Sequence, residues 1–271
     1  VSAADLVALA VGEHPGMSGE AGSRAAIGLP GRQEALCRAV FALGKPCAVV
    51  LFNGRPLDLR SVADGAAALL EAWFPGTEGA RAAADLLVGD ASPRGRLTMG
   101  FPRSVGQVPI HYNHFNTGRP RTGGADDYFC SGYQDLPSDP LFPFGFGLSY
   151  TQFSYGDLRL DRPVLDPAGC LAVSVPVTNI GSRPGSELVQ LYIRDLCGSV
   201  VRPVRELKGF QWVDLAPGET TEVTFAITEP MLRFHGADLR YASEPGRFLA
   251  LVGSDSLHLQ EKEFVLSQDR R

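Results

Sequence analysis

The sequence predicts an α/β domain built on a parallel sheet, followed by an all-β sandwich. Two observations support this division. In the first part of the chain, short apolar runs alternate with helical stretches across short loops, which is the pattern of a parallel sheet covered by helices. In the last part, runs of alternating apolar and polar residues are separated by turns rich in proline and glycine, as in a β-sandwich. The 271 residues leave room for two domains of ordinary size.

The first domain is predicted over residues 1–112. Short apolar runs bounded by turn residues are typical of the buried strands of a parallel sheet, and Pro30 and Gly44 mark the start and the end of a helix. The alanine-rich stretch 61–71 is predicted to be helical or turn-like. The other predicted elements, in chain order, are strand 6–11, helix 31–43, strand Cys47–Phe52, strand 72–74 and helix 80–88.

Residues 113–153 differ in character from the stretches on either side. Proline, glycine, asparagine and aromatic residues are crowded together there with little periodicity. A long irregular segment in a folded protein is usually either functional or a linker, and this one is too rich in aromatic residues to be a flexible linker. We therefore expect an ordered strap that connects the two domains.

The second domain is predicted over residues 154–271 as a β-sandwich of the immunoglobulin or fibronectin III style. Evenly spaced strands with intervening Pro/Gly turns indicate this class. A true immunoglobulin domain is not expected, because the Cys…Trp…Cys pattern is missing from the sequence. The predicted strands cover 171–177, 187–194, 204–212, 221–227, 248–252 and 263–266.

Composition argues against several classes of partner. The net charge of −5 provides no overall basic surface for nucleic acid. No run approaches the roughly 18 apolar residues of a membrane span. The five cysteines are widely spaced without a Cys-x-x-Cys pair, and His111 and His114 lack further ligands at metal-site spacing. We therefore expect no nucleic acid, no membrane, no metal and no cofactor.

The loop after the first strand carries the candidate functional residues. In open α/β sheets, ligands bind at the carboxyl ends of the strands, and this loop holds Glu13 and Glu20 among glycines that let a ligand approach closely. A carboxylate in such a place is a candidate general acid or base; the alternative is a solvated surface loop without a catalytic role. Of the neighbouring side chains, His14 is expected to make backbone hydrogen bonds, Arg55 a structural ion pair, and Trp73 a core contact rather than a contact with a ligand.

Several stretches, in the same order along nearly the whole chain, together resemble glycoside hydrolase family 3 and in particular bacterial periplasmic β-glucosidases. Each stretch alone is weak evidence, but the set is specific. The stretches are VGEHPGMSGEAGSR, LFNGRPLDL, AWFPGTEGARAAADLLVGDASPRGRLTMGFPRSVGQVPIHYNH, NTGRP, LFPFGFGLSYTQF, VTNIGSRPGSELVQLYI, RPVRELKGF and LAPGETTEV.

The resemblance implies a modular enzyme of which this chain matches only the carboxy-terminal part. Such enzymes consist of a (β/α)8-type barrel, an α/β sandwich and a fibronectin III-like domain, and this chain begins partway into the sandwich. No basic leader with a cleavage site is visible. Because the sequence opens almost directly into a predicted buried strand, we expect a piece of a longer polypeptide from which any targeting signal has been left behind. The resemblance suggests a periplasmic or secreted location, which the sequence itself does not fix. The expected partners are an oligosaccharide or β-glucoside and the missing barrel, and a homo-oligomer is compatible with the sequence.

The resemblance also implies roles for residues in the first loop. The catalytic nucleophile would be an aspartate in the missing barrel, and the general acid/base a glutamate of this chain. Glu13 occupies the Gly-Glu position of many members and is the first candidate. Glu20 is the competitor, because Glu20-Ala-Gly-Ser-Arg24 is similar to the Glu-Gly-aromatic-Asp-Arg form of other members. Arg24 is then either a substrate-binding or carboxylate-orienting residue or half of a structural ion pair.

The function that the resemblance implies is retaining hydrolysis of O-glycosidic bonds in carbohydrate metabolism, as in a β-glucosidase-like enzyme; the sequence does not say which sugar or linkage is cut. A retaining glycosidase needs two carboxyl groups about 5–5.5 Å apart on either side of the scissile bond. One attacks and stays ionised, while the other protonates the leaving oxygen and needs a raised pKa. Without the barrel, the chain alone is expected to be inactive. The alternative from another class is a non-catalytic carbohydrate-binding or structural module.

Overall fold

The computed structural model describes residues 3–120 and 129–268, and the contacts within the chain divide it into two units. The segment 113–153, predicted as a strap, contributes to both units, and its residues 121–128 lie outside the described ranges. The first unit comprises Val1–Ser92, Met99–Ile110 and Asp135–Phe142, and the second comprises Pro93–Thr98, His111–Gln134 and Pro143–Arg271. No helix among the described residues has the length and apolar character that a membrane crossing requires.

The first unit contains a parallel sheet of three strands in the order β1-β2-β3. The central strand β2 is buried from its first residue to Leu51, which explains its continuous apolar sequence. Because the strands are parallel, the loops that follow all three begin at the same edge of the sheet. The elements are β1 (Val7–Gly12), α1 (Gln33–Phe41), β2 (Cys47–Phe52), α2 (Arg60–Ala63), β3 (Ala68–Glu71) and α3 (Gly79–Val88).

The third strand does not lie where the sequence predicted it. Residues 72–74 are not a strand, and β3 instead lies inside the alanine-rich stretch that was predicted to be helical or turn-like. Alanine and leucine favour helix locally, but pairing with β2 supplies the backbone hydrogen bonds of β3 and overrides that preference. Trp73 has a φ of +52°, a left-handed conformation that a strand cannot contain. It therefore belongs to the turn beyond β3.

The second unit is all-β. One sheet has the order β10-β7-β4 with β5 also paired to β7, and the other has the order β6-β14-β13-β8-β9. A separate ribbon joins β11 to β12. The strands are β4 (Phe153–Tyr155), β5 (Arg159–Leu160), β6 (Val164–Leu165), β7 (Cys170–Asn179), β8 (Gly185–Asp195), β9 (Glu206–Leu215), β10 (Thr220–Thr228), β11 (Phe234–His235), β12 (Tyr241–Ala242), β13 (Gly246–Gly253) and β14 (Leu259–Leu266).

The core of the second unit follows from alternation along its strands. Alternate residues of β7 from Leu171 to Val177 are fully buried, while those between them are not. They belong to one apolar cluster with residues of β8, β13 and β14 from the other sheet. This is the packing of a β-sandwich. The predicted succession of an α/β domain and an all-β sandwich is confirmed.

Candidate active site

Glu13 directly follows β1 and is held in place by backbone contacts. Its N–H donates a 2.7 Å hydrogen bond to the Phe52 carbonyl of β2. The preceding residue, Gly12, has a φ of +137°, and a Cβ there would lie 1.9 Å from the Phe52 oxygen, so only glycine fits. Gln33 of α1 bonds both backbone groups of Gly12, accepting at 2.7 Å and donating at 2.9 Å. These contacts fix the direction in which the chain leaves the sheet.

The Glu13 side chain is fully buried and ion-paired. Its carboxylate accepts hydrogen bonds from Arg24 Nη1 at 2.7 Å, Arg55 Nε at 3.1 Å and the Gly54 N–H at 3.3 Å. Burial alone would raise the pKa of Glu13, but the hydrogen bonds from Arg24, Gly54 and Arg55 outweigh it and lower that pKa below its ordinary value. Glu13 is therefore an ionised carboxylate whose oxygens are already occupied.

The two arginines extend this interaction into the surrounding loop. Arg24 Nη2 donates to the Gly28 carbonyl at 3.0 Å. Arg55 Nη2 donates to the Gly22 carbonyl at 2.8 Å and also to the Met17 carbonyl. We call Glu13, Arg24 and Arg55 the Glu13 cluster. The predicted structural ion pair of Arg55 is confirmed by its contact with the Glu13 carboxylate.

Glu20 lies in a tight turn between the two carbonyls that Arg55 binds. The turn is closed by a 3.0 Å hydrogen bond from the Gly22 N–H to the Gly19 carbonyl. Ala21 has a φ of +59°, and a left-handed non-glycine residue persists only where the surroundings impose it. Glu20 itself is exposed, and within the described ranges no hydrogen bond or ion pair engages its carboxylate. The Glu13 cluster thus holds both ends of a turn that presents a free carboxylate.

His14 and Trp73, the other two residues predicted for this region, have defined contacts. His14 Nδ1 accepts from the Gly16 N–H at 3.1 Å, so its predicted backbone hydrogen bond is confirmed. Trp73 is half-buried in the turn after β3, with its ring 5.8 Å from that of Phe101. Among the described residues, no group of three or more His, Cys, Asp or Glu side chains is arranged to hold a metal ion.

The sequence interpretation missed one carboxyl group at this edge. Glu71 ends β3, and its Oε1 accepts a 2.8 Å hydrogen bond from the Trp73 N–H. Burial raises the pKa of Glu71 to about 7. The neighbouring Asn53, which follows β2, is completely buried. The signal was available in principle, since a carboxylate at the end of a strand in an α/β sheet marks a candidate site, but Glu71 was assigned to a stretch predicted to be helical or turn-like.

Fold and site together define a parallel-sheet α/β domain with carboxylate-bearing loops at its carboxyl edge, followed by a fibronectin III-like sandwich. The chain belongs to glycoside hydrolase family 3. The model of the "Glycosyl hydrolase family 3 C-terminal domain" matches residues 1–150, more than half of the chain, and that of the "Fibronectin type III-like domain" matches residues 187–256. The resemblance seen in the sequence is confirmed.

Individual relatives agree with this assignment. The chain is 45% identical over 263 residues to a periplasmic beta-glucosidase of Salmonella typhimurium, covering 97% of this chain and 34% of that protein. It is 44% identical to a beta-xylosidase of Formosa agariphila, covering 93% of this chain and 34% of that protein. A solved beta-glucosidase of Listeria innocua in complex with glucose superposes with a TM-score of 0.94 at 42% identity, covering 99% of this chain and 37% of that one. The chain spans about a third of the length of these relatives.

Proposed function

We propose that this chain is the carboxy-terminal part of a retaining β-glucosidase-like hydrolase in which Glu20 is the general acid/base. The nucleophilic aspartate would come from an amino-terminal barrel outside this chain. Family membership and the relatives named β-glucosidase support the reaction class. The share of those relatives that the chain leaves uncovered supports a further domain. The substrate class is a β-glucoside.

Glu20 is chosen over Glu13 because the Glu13 carboxylate is buried, hydrogen-bonded and ionised. A general acid/base must reach the glycosidic oxygen and exchange a proton twice in each turnover. The Glu13 side chain has no exposed surface, and its oxygens accept three hydrogen bonds, two of them from cationic groups. The lowered pKa of Glu13 keeps its carboxyl group ionised, so it does not carry the proton that a general acid must donate. Glu20, in contrast, is exposed and its carboxylate is free of partners within the described ranges.

The Glu13 cluster then has a positioning role. Arg55 joins the Glu13 carboxylate to the Met17 and Gly22 carbonyls, which flank the Glu20 turn. Arg24 uses both terminal nitrogens on Glu13 and Gly28, so we assign it to positioning rather than to substrate binding. A catalytic carboxyl must be held within a fraction of an ångström of its productive place. An ionised buried cluster supplies that rigidity.

The reaction would follow the retaining course. The aspartate of the barrel attacks the anomeric carbon while Glu20 donates its proton to the leaving oxygen, so the glycosidic bond breaks and a covalent glycosyl-enzyme forms. Glu20, now ionised, takes a proton from water as that water attacks the same carbon. The sugar is released with its configuration retained, the aspartate is freed, and Glu20 is again protonated.

The experiment that tests this proposal uses the full-length enzyme with Glu20→Ala, Glu13→Ala and the control Asp5→Ala. Asp5 is an exposed carboxylate before β1, at the opposite edge of the sheet. For Glu20→Ala we expect kcat/KM on a β-glucoside with a poor leaving group to fall about 10²–10⁴-fold. An activated aryl glucoside should still glycosylate the enzyme, since its leaving group needs no acid. Azide should then restore turnover and give a glycosyl azide of retained configuration.

Each other result contradicts a stated part of the proposal. Azide rescue of Glu13→Ala but not of Glu20→Ala would make Glu13 the acid/base. Rescue of neither variant would place the acid/base outside this loop. A full-length enzyme without activity on β-glucosides would remove the proposed reaction. Asp5→Ala should match the unmodified enzyme in all these measurements.

A further inference from the structure

A buried carboxyl group and a buried amide lie side by side where β2 and β3 end. In the parallel pairing of the two strands, Glu71 is in register with Leu51. Asn53 lies two residues beyond Leu51, and side chains two apart along an extended chain point to the same face. The Asn53 side chain therefore lies on the Glu71 side of the sheet, and it interacts with the Glu71 carboxyl group. Asn53 is completely buried.

Of the four polar side-chain atoms of Glu71 and Asn53, two form hydrogen bonds with backbone groups. Glu71 Oε1 accepts from the Trp73 N–H at 2.8 Å, and Asn53 Nδ2 donates to the Arg55 carbonyl at 2.7 Å. The other two, Glu71 Oε2 and Asn53 Oδ1, are buried and have no hydrogen-bond partner among the residues that the structure describes. Turning the Asn53 amide over would not help, because its oxygen would then face the Arg55 carbonyl. Buried acceptors without a donor are rare and costly.

One proton resolves both orphaned atoms. An ionised carboxylate has only acceptors to offer, whereas a protonated carboxyl has one O–H donor. A hydrogen on Glu71 Oε2 would donate to Asn53 Oδ1 and leave neither atom unsatisfied. Within the described ranges, no cationic side chain forms an ion pair with Glu71. Arg55 in the neighbouring loop is paired with Glu13 instead. On β2, the titratable Cys47 has a pKa raised by burial and stays neutral.

We propose that Glu71 is held protonated and that its carboxyl clamps the turn after β3 to the turn after β2. Its two oxygens then bond the Trp73 N–H and the Asn53 amide oxygen. Asn53 in turn bonds the backbone of Arg55, whose side chain belongs to the Glu13 cluster and holds the Glu20 turn. Glu71 is therefore a positioning residue, and it does not touch the substrate. This last link rests on the proposed function, but the clamp itself does not.

Ionisation of Glu71 would open the clamp. Burial raises its pKa to about 7, and the Trp73 N–H and the Asn53 side chain, which both lower that pKa, only partly offset the rise. The pKa in the folded protein is thus above the unfolded value of about 4.3. The stability that the clamp contributes is present below the unfolded pKa and is lost as the pH rises through the folded one. The clamp should be closed near pH 5 and open near pH 8.

The test compares amide hydrogen exchange in the unmodified full-length enzyme and in Glu71→Gln, in peptides spanning 47–55 and 68–76. Glutamine copies the neutral acid, because its amide N–H can donate to Asn53 Oδ1 while its oxygen accepts from Trp73, and it does not titrate. We expect equal protection of these peptides near pH 5. At pH 8 the unmodified enzyme should be less protected than Glu71→Gln, by up to roughly 10- to 100-fold in the local opening equilibrium.

A second variant separates the clamp from general packing. Glu71→Leu keeps the bulk but leaves the Trp73 N–H and Asn53 Oδ1 without partners, so it should be less protected than Glu71→Gln at every pH and show no titration. Parallel protection of the unmodified enzyme and Glu71→Gln from pH 5 to 8 would overturn the proposal. A Glu71→Gln variant already less protected at pH 5 would also overturn it, since that is the behaviour expected of an ionised Glu71.

Kinetics test the link to the Glu20 turn separately. The ratio of kcat/KM of the unmodified enzyme to that of Glu71→Gln should fall by up to about tenfold between pH 6 and pH 8, following one ionisation near pH 7. A ratio independent of pH, alongside the expected exchange result, would overturn the positioning role. If the enzyme does not hydrolyse β-glucosides, the proposed function fails, while the exchange experiment still decides whether the clamp exists.

Discussion

Replacing Glu13 by leucine should destabilise the first unit by about 3–5 kcal/mol, the usual cost of removing one partner from a buried ion pair. Arg24 and Arg55 would lose their common carboxylate, and two like charges would face each other across the site that it occupied. Their side chains are only 18% and 20% exposed, so water replaces little of the lost interaction. Urea denaturation of the full-length enzyme, followed by a probe in the first unit, measures the loss.

Activity should fall with this change, but in a way that differs from the loss of an acid/base. The Glu20 turn loses the support of Arg55 at its two flanking carbonyls, so both the glycosylation and the deglycosylation step should slow. Azide should not rescue the variant. The exposed control Asp5→Ala should remain within about 0.5 kcal/mol of the unmodified protein. A destabilisation below about 1 kcal/mol would contradict the role assigned to the Glu13 cluster, since exposed ion pairs contribute that little.

The pH dependence of stability in a second variant at this position, Glu13→Gln, provides an independent check. The pKa of Glu13 is lowered in the folded protein, so its contribution to stability is present above the unfolded pKa of about 4.3 and is lost as the pH falls through the folded value. The difference in unfolding free energy between the unmodified protein and Glu13→Gln should therefore be constant near neutrality and shrink under acid conditions. A difference that grows on acidification would show that Glu13 is not the ionised partner of the arginines.

Replacing Arg96 by alanine should cost the second unit about 3–5 kcal/mol. Arg96 Nη2 donates to Glu187 at 2.6 Å, and the other Glu187 oxygen accepts from the Tyr155 hydroxyl at 2.7 Å. The Arg96 and Glu187 side chains are only 6% and 5% exposed, so the variant would leave a buried carboxylate without its cation. Urea denaturation with a probe in the second unit provides the measurement.

A double variant and the pH dependence of Arg96→Ala test the Arg96 prediction further. The double substitution Arg96→Met with Glu187→Leu removes both charges and should recover most of the lost stability, because a hydrophobic pair of similar volume can replace a buried ion pair. Burial already raises the pKa of Glu187, and without Arg96 that pKa should rise further. The deficit of Arg96→Ala should therefore be smaller at pH 5 than at pH 8. A double variant no more stable than Arg96→Ala would contradict the ion-pair explanation.

The strands that sequence reasoning located well are those whose burial leaves a clear pattern. Cys47–Phe52 was predicted with its observed bounds because burial on both faces of a parallel sheet produces an uninterrupted apolar run. Strand β7 was found through its alternation. Strand β3 was missed because its residues favour helix locally, and only pairing with a strand about 20 residues earlier in the chain makes it extended.

The sequence indicated the loop that carries the candidate residues, but not which side chains contact one another there. A glutamate after the first strand pointed to the loop in which the Glu13 cluster forms. The partners of Glu13, however, lie 11 and 42 residues further along the chain, and no local pattern states which carboxylate they will bind. The resemblance left Glu13 and Glu20 as competitors. Only the contacts distinguish the Glu13 carboxylate, whose oxygens are occupied, from the Glu20 carboxylate, which has no partner within the described ranges. Glu71 was overlooked together with its strand.

The close approach at Gly12 has a consequence for directed evolution of this region. Because any side chain there would collide with the Phe52 carbonyl, a saturation library that includes this codon consists almost entirely of misfolded members. Diversity placed at the exposed loop residues 14–16 instead would leave the β1–β2 junction intact. A screen for altered leaving-group preference would then sample many more folded variants for the same number of colonies.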